Sequence, residues 1–160
     1  MPETPFTPSE ISRSYGYSLQ VIQEKSASFY KGFSLLPKEK SSAVFAVYAF
    51  CREADDVIDE RKDIAGLDRL QGRLRQLLDA PEKLPAETFW PALADVFERF
   101  PMELRYFQHM IDGQRMDVTF QQPATLEELE RYCYFVAGTV GMMIAPILGT
   151  VRTGPDKERI

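Results

Sequence analysis

The stretch Tyr48-Ala49-Phe50-Cys51-Arg52-Glu53-Ala54-Asp55-Asp56-Val57-Ile58-Asp59 decides the fold of this chain. It reads as the last three turns of a helix whose final turn carries three carboxylates. Asp55 and Asp59 are spaced i, i+4 and so stand side by side on one face. Going back one turn at a time, Arg52 and Tyr48 fall close to that face. A phenol, a cation and two carboxylates thus share one stripe of an otherwise apolar helix. The arrangement opposes local stability. Like charges at i, i+4 cost about 0.2–0.5 kcal/mol, and acids near a helix C-terminus oppose the macrodipole by a similar amount. A solvated acidic helix end is one explanation, because charged helix ends are common. The other comes from the apolar run 43–50 upstream, which turns the Asp55 stripe inward. Paired carboxylates facing an apolar interior need a partner. Mg²⁺ is the usual one, held by one or two carboxylates plus substrate phosphates, so a phosphorylated substrate is its natural companion.

Working outward, the rest of the chain reads as helices. Thr7-Pro8-Ser9-Glu10 is a capping box with proline at the first helical position, and a first helix follows with Ile11, Tyr15, Leu19 and Ile22 on one face. Ser26 to Ser34, aromatic and hydroxylic with a central Gly32, reads as a loop or a helix break. Pro37 starts the second helix, which ends in the carboxylates. Asp63, four beyond Asp59, is assigned to solvent. Leu67, Leu70, Leu74, Leu77 and Leu78 mark a third helix whose Arg69, Arg73 and Arg75 form a solvated face. Pro81 and Pro85 open a short linker. A fourth helix carries Leu93, Val96, Phe97 and Phe100, and Pro101 restarts the chain into a fifth with Leu104, Phe107, Ile111 and Gln114 along one side.

The fifth helix ends in Asp112-Gly113-Gln114-Arg115-Met116-Asp117. Asp112 and Asp117 lie roughly 140° apart on a helix wheel, so they cannot repeat the Asp55/Asp59 pair. This segment reads either as a plain helix end or as a site. Thr125-Leu126-Glu127-Glu128 is a second capping box. It opens a sixth helix with Leu129, Tyr132, Val136, Val140, Met143 and Ile147 on one face. Ala137, Gly138 and Gly141 thin that helix, as core packing or close approach by a backbone or ligand would require. Residues 132–151 carry no charge and are long enough to span a bilayer. Their glycines, threonines and Pro146 favour a core helix with its exit loop. Six helices, no strand and short proline-rich connections make an all-α bundle.

Composition narrows the function. At 160 residues the chain fits one domain with a sizeable core. A net charge of −5 argues against nucleic acid as the main partner. Cys51 and Cys133 read as reduced core residues rather than a disulfide framework. The single histidine, His109, rules out a His-rich metal site and is assigned a structural or exposed place. No basic segment followed by an apolar run marks a signal peptide at the N-terminus. Thr153-Gly154-Pro155-Asp156-Lys157-Glu158 announces a helix two residues before the last, so the chain reads as a piece of something longer.

Together these segments resemble the squalene/phytoene synthase family, which joins two prenyl diphosphates head to head. The resemblance covers residues 20–152. It is carried by Ser26-Ala27-Ser28-Phe29, Leu36-Pro37, Tyr48-Ala49-Phe50-Cys51-Arg52 with Asp55-Asp56-Val57-Ile58-Asp59, Asp112-Gly113 through Met116-Asp117, and Tyr132-Cys133-Tyr134-Phe135-Val136-Ala137-Gly138-Thr139-Val140-Gly141. It implies an all-α isoprenoid-synthase fold, with residues 1–160 forming the N-terminal part of a single domain whose second half is missing. It implies Mg²⁺ at Asp55 and Asp59, bridging to diphosphate. Arg52 and Ser26 match diphosphate-contacting positions, and Ser28 belongs to the same substrate-binding segment. Tyr48 and Tyr132 match cavity tyrosines near the cationic intermediates. Phe29, Phe33, Val136 and Val140 match the lining of the prenyl tunnel, and Asp117 a carboxylate near the site.

The implied reaction turns farnesyl or geranylgeranyl diphosphate into phytoene, dehydrosqualene or squalene, with NADPH needed only for squalene. The family's second aspartate-rich motif has no counterpart here: apart from the Asp55/Asp59 helix and Asp63, no aspartates are spaced i, i+4. Two rival readings follow. One is a prenyl diphosphatase that releases the prenyl alcohol. The other is a non-catalytic helical module that binds a partner. A cytoplasmic protein is expected, with a greasy product that favours peripheral membrane contact, and a half bundle is expected to expose apolar faces and self-associate.

Overall fold

Helix α3 (Lys38–Asp59) is the axis of the molecule: twelve of its 22 residues are buried. The structure, a computed structural model, describes residues 4–149. The helix start expected at 153–158 and the end of the uncharged run lie outside the described residues. From Ala43 to Phe50 nearly every residue of α3 is buried, because neighbours pack on several of its sides. Those neighbours are α1 (Pro8–Lys25), α2 (Ala27–Phe33), α4 (Ile64–Asp79), α5 (Trp90–Arg99), α6 (Leu104–Val118) and α8 (Thr139–Leu148). α7 (Leu126–Cys133) runs through a π-turn, Tyr134–Gly138, directly into α8. The all-α architecture is as expected, and the described residues contain no strand.

Local chemistry explains where the helices start. At Thr7 the hydroxyl accepts from Glu10 N–H at 3.2 Å, while the Glu10 carboxylate accepts from Thr7 N–H at 2.8 Å. Thr125 and Glu128 repeat the box at 3.1 and 3.3 Å. Each such cap contributes about 1 kcal/mol by satisfying amide donors that the helix leaves free. The centre of the core is aromatic. Phe50 meets Phe107 with ring centroids 5.1 Å apart, and Phe89 and Trp90 each at 6.2 Å.

Several sequence expectations need correction. Residues 27–33 are helical, not a loop: Ser26 breaks the chain out of α1 and its side chain then accepts from Phe29 N–H, starting α2. Gly32 has open space around it and does not interrupt the helix. On α1 the deeply buried line is Ser14, Ser18 and Ile22, with Ile11, Tyr15 and Leu19 only half-buried. The serines are buried because they have partners. Ser14 donates to Thr88 carbonyl oxygen at 2.5 Å and accepts from Ala92 N–H at 2.9 Å, tying α1 to α5.

Asp63 is half-buried rather than solvated. It caps α4 by accepting from Gly66 N–H at 2.9 Å and pairs with Arg69 at 2.6 Å. Cys133 is exposed, whereas Cys51 is buried against Met143. The expected core helix at the end is covered on one stripe only, through Thr139, Met143 and Ile147. Leu126–Leu148 is long and apolar enough to cross a membrane, and 17% of its most apolar 18-residue window is buried. Leu126, at 70% exposure, shows how open its first turn is.

Candidate functional site

Asp55 and Asp59 sit in the last turn of α3, where the chain passes from buried helix to exposed turn. Asp55 is half-buried and Asp59 exposed. Burial, then the neighbouring Asp59 carboxylate, push the Asp55 carboxyl up to about 6, and the nearby Arg52 offsets only part of this. Gln114 of α6 donates to Asp55 Oδ1 at 2.5 Å and fixes its orientation. Gln114 was legible as a polar residue on an otherwise apolar stripe, but its partner was not.

Arg52 does not neutralise the pair. Its Nη2 lies 2.7 Å from Asp56 Oδ1 and 3.5 Å from Glu60 Oε1, on the other side of the helix end. Burial works against the Arg52 charge, but the Asp56 bond and charge outweigh it and hold the guanidinium firmly protonated. Asp56 Oδ1 is thus held by the ion pair, whereas Arg52 Nε is buried without a hydrogen-bond partner. A cleft of about 260 Å³ opens between α1 and α3 at this point, lined by Tyr17, Glu24, Lys25, Arg52 and Asp56. No ion pair to Asp55 or Asp59 forms among the described residues.

Two further groups flank the carboxylates. On one side Tyr48, Phe29, Phe33 and Ser26 come together. Phe29 stacks on Phe33 at 6.0 Å and meets Tyr48 edge-on at 6.2 Å. Burial pushes the Tyr48 phenol up, and the Arg52 charge and then the Ser26 hydroxyl work in the opposite direction. Phe29 is 56% exposed, so this aromatic cluster faces outward from the core. Ser28 is exposed too. On the other side Tyr132 donates to Asp117 Oδ1 at 2.7 Å, and that bond pushes its phenol above the ordinary value. Asp117 lies three residues beyond Gln114, hence on the same side of α6 one turn further along. Val140 packs on the core edge, and Val136 is half-buried within the π-turn.

Close approach does occur near this segment, but at Gly113 rather than at Gly138 or Gly141. A Cβ on Gly113 would stand 2.5 Å from the Phe135 carbonyl oxygen, whereas one on Gly141 would meet nothing. His109 is half-buried, and its Nδ1 shares a 2.8 Å hydrogen bond with the Tyr134 hydroxyl.

The residues fit Mg²⁺ of the kind that leaves most of its shell to substrate. Among the described residues no cluster of three or more His, Cys, Asp or Glu side chains could enclose a metal. A carboxylate pair in which Asp55 is raised and neither member is ion-paired among the described residues could serve instead as a half-site, left for phosphate oxygens and water to complete.

An all-helical bundle with such a half-site beside outward-facing aromatics has the form of an isoprenoid synthase. The squalene/phytoene synthase family model matches residues 22–159, and the chain belongs to that family. It is 35% identical over 147 residues to the 15-cis-phytoene synthase of Synechococcus elongatus, covering 89% of this chain and 47% of that protein. The chloroplastic phytoene synthase of Daucus carota is 36% identical over 143 residues, covering 87% and 35%. The fold of this chain is similar to the crystal structure of a dehydrosqualene synthase in complex with ligand. That likeness has a TM-score of 0.81 at 45% identity and covers 87% of this chain and 48% of the other. The chain thus spans about half the length of the S. elongatus relative and of the dehydrosqualene synthase.

Proposed function

We propose that the protein takes part in the Mg²⁺-assisted head-to-head condensation of two farnesyl or geranylgeranyl diphosphates to dehydrosqualene, phytoene or squalene. The observation that carries this is the carboxylate pair at the end of α3, with Asp55 raised to about 6 and no ion pair to either carboxylate among the described residues. Asp55 and Asp59 would hold the metal, which supplies positive charge to the departing pyrophosphate as the allylic C–O bond ionises. Gln114 keeps the Asp55 carboxylate aimed. Arg52 would meet a diphosphate oxygen by exchanging its contacts with Asp56 and Glu60. Tyr48, Phe29 and Phe33 present aromatic surface to the prenyl chain, and a tyrosine face stabilises a carbocation much as it does an ammonium group. Asp117 holds Tyr132. A cytoplasmic reaction next to a membrane surface suits a hydrocarbon product, and exposed Leu126, Leu129, Met142 and Leu148 support that placement.

The test is turnover of the native protein with each prenyl diphosphate and Mg²⁺, followed by product analysis. The proposal expects pyrophosphate release with a C30 or C40 hydrocarbon. NADPH dependence would identify squalene as the product. A C15 or C20 alcohol alone would make the protein a prenyl diphosphatase, and no release at all would leave only a binding module.

A further inference from the structure

The π-turn at Tyr134–Gly138 interrupts the helix in the middle of its most distinctive sequence. Three features outside the carboxylate site hold it. Thr139 N–H reaches back five residues to the Tyr134 carbonyl instead of four. That shift takes from the Phe135 carbonyl the amide it would accept from in an α-helix. The Thr139 hydroxyl replaces it, donating to Phe135 oxygen at 3.2 Å from a fully buried position. On α6, Gly113 leaves room for the same carbonyl: a Cβ there would stand 2.5 Å from Phe135 oxygen. One turn earlier on α6, His109 is hydrogen-bonded to the Tyr134 hydroxyl. A wide turn of this kind absorbs one extra residue and is frequent at functional sites.

Its consequence is rotational. Thr139, Met143 and Ile147 form the stripe of α8 that faces the core. With regular spacing, Tyr132 would lie about 20° from Thr139 on the wheel and about 80° from Val140, which puts it on the core stripe. The absorbed residue turns everything upstream by about 100°, leaving Tyr132 about 120° from Thr139 and about 20° from Val140. The observed position agrees. Tyr132 is half-buried, bonded to Asp117, with its ring 5.3 Å from Phe120.

We propose that this π-turn is a positioning device for Tyr132, with Thr139, Gly113 and His109 as the residues that keep it wide. It carries the Tyr132 phenol off the core stripe, onto Asp117 and into line with Val140. Its catalytic meaning rests on the prenyl-diphosphate reading above, whereas its geometric meaning does not.

The test uses the native protein with ¹³C,¹⁵N labelling. In the wild type, a hydrogen-bond scalar coupling should run from Thr139 N to the Tyr134 carbonyl carbon, and Tyr132 should show ring contacts to Phe120. Thr139→Val keeps the volume and removes the hydroxyl. It should weaken the Tyr132–Phe120 contacts and lower kcat on the order of tenfold to a hundredfold, with KM changed less than about threefold. Thr139→Ser should restore both. Unchanged contacts in the valine variant would overturn the proposal, as would displaced contacts with an unchanged kcat. Where the valine variant does not fold, deletion of the exposed Ala137, which returns the segment to α spacing, decides. Loss of the Tyr132–Phe120 contacts supports the device, and their retention overturns it. A wild type that turns over no prenyl diphosphate defeats the proposed function and leaves the contact measurement standing.

Discussion

Phe50 and Tyr48 are two residues apart on α3 and belong to opposite kinds of aromatic cluster. Phe50 is fully buried among Phe89, Trp90 and Phe107, whose rings meet it at 5.1 to 6.2 Å. Tyr48 meets Phe29 at a similar 6.2 Å, yet Phe29 is 56% exposed. The first cluster removes apolar surface from water and so stabilises the fold. The second holds apolar surface out, next to a carboxylate whose proton affinity is raised. One helix therefore carries the stability of the domain on one side and a costly, open site on the other.

Removing the core anchor should break that contrast most severely. Phe50→Ala is expected to lose about 3–5 kcal/mol of unfolding free energy, whereas Phe29→Ala should change it by less than about 0.5 kcal/mol. Chemical denaturation of both variants checks this, and equal losses would erase the distinction. Next in size is the polar seam between α1 and α5. Ser14→Ala leaves the Ala92 amide without its acceptor and should cost about 1–3 kcal/mol by the same assay.

The carboxylate site sharpens the comparison from the other direction. Asp55 has a folded-state pKa of about 6, above the unfolded value near 4. Its contribution to stability is therefore full below about pH 4 and is lost as pH rises through about 6. In EDTA, Asp55→Asn should be more stable than the wild type at pH 7, by about 1–2 kcal/mol after allowing for solvent screening. At pH 4 the two should melt together. Mg²⁺ should stabilise the wild type and not the variant, and thermal melts at the two pH values read all three outcomes.

How much of this was legible in the sequence depends on the range of the interaction. The two capping boxes, the course of α3 and the side-by-side spacing of Asp55 and Asp59 are local, set by residues three or four apart; the inward turn expected of that pair is not, since Asp55 is half-buried and Asp59 exposed at the open end of α3. Residues 27–33 escaped because Ser26 both ends one helix and caps the next, which composition alone does not reveal. Ser14 looked like the wrong side of α1 because its partners, Thr88 just before α5 and Ala92 within it, lie 74 and 78 residues away, while Ser18 turns its hydroxyl back onto the Ser14 carbonyl. Asp63 looked solvated because its bond to Gly66 depends on the turn through Lys62, whose φ is +51°. Arg52 shares the Asp55 stripe by spacing, but its long side chain finds Asp56 and Glu60 instead. Gly113 and Thr139 stood in motifs whose purpose emerged only when the Phe135 carbonyl was placed between them.

The most direct test of the central claim is calorimetric binding of an unreactive prenyl thiodiphosphate to the native protein, with Mg²⁺ and with EDTA. The account predicts binding that requires Mg²⁺ and that weakens on the order of a hundredfold in both Asp55→Ala and Asp59→Ala. Binding that is indifferent to the metal, or unchanged in either variant, would contradict the assignment of the α3 carboxylates as a metal-diphosphate site.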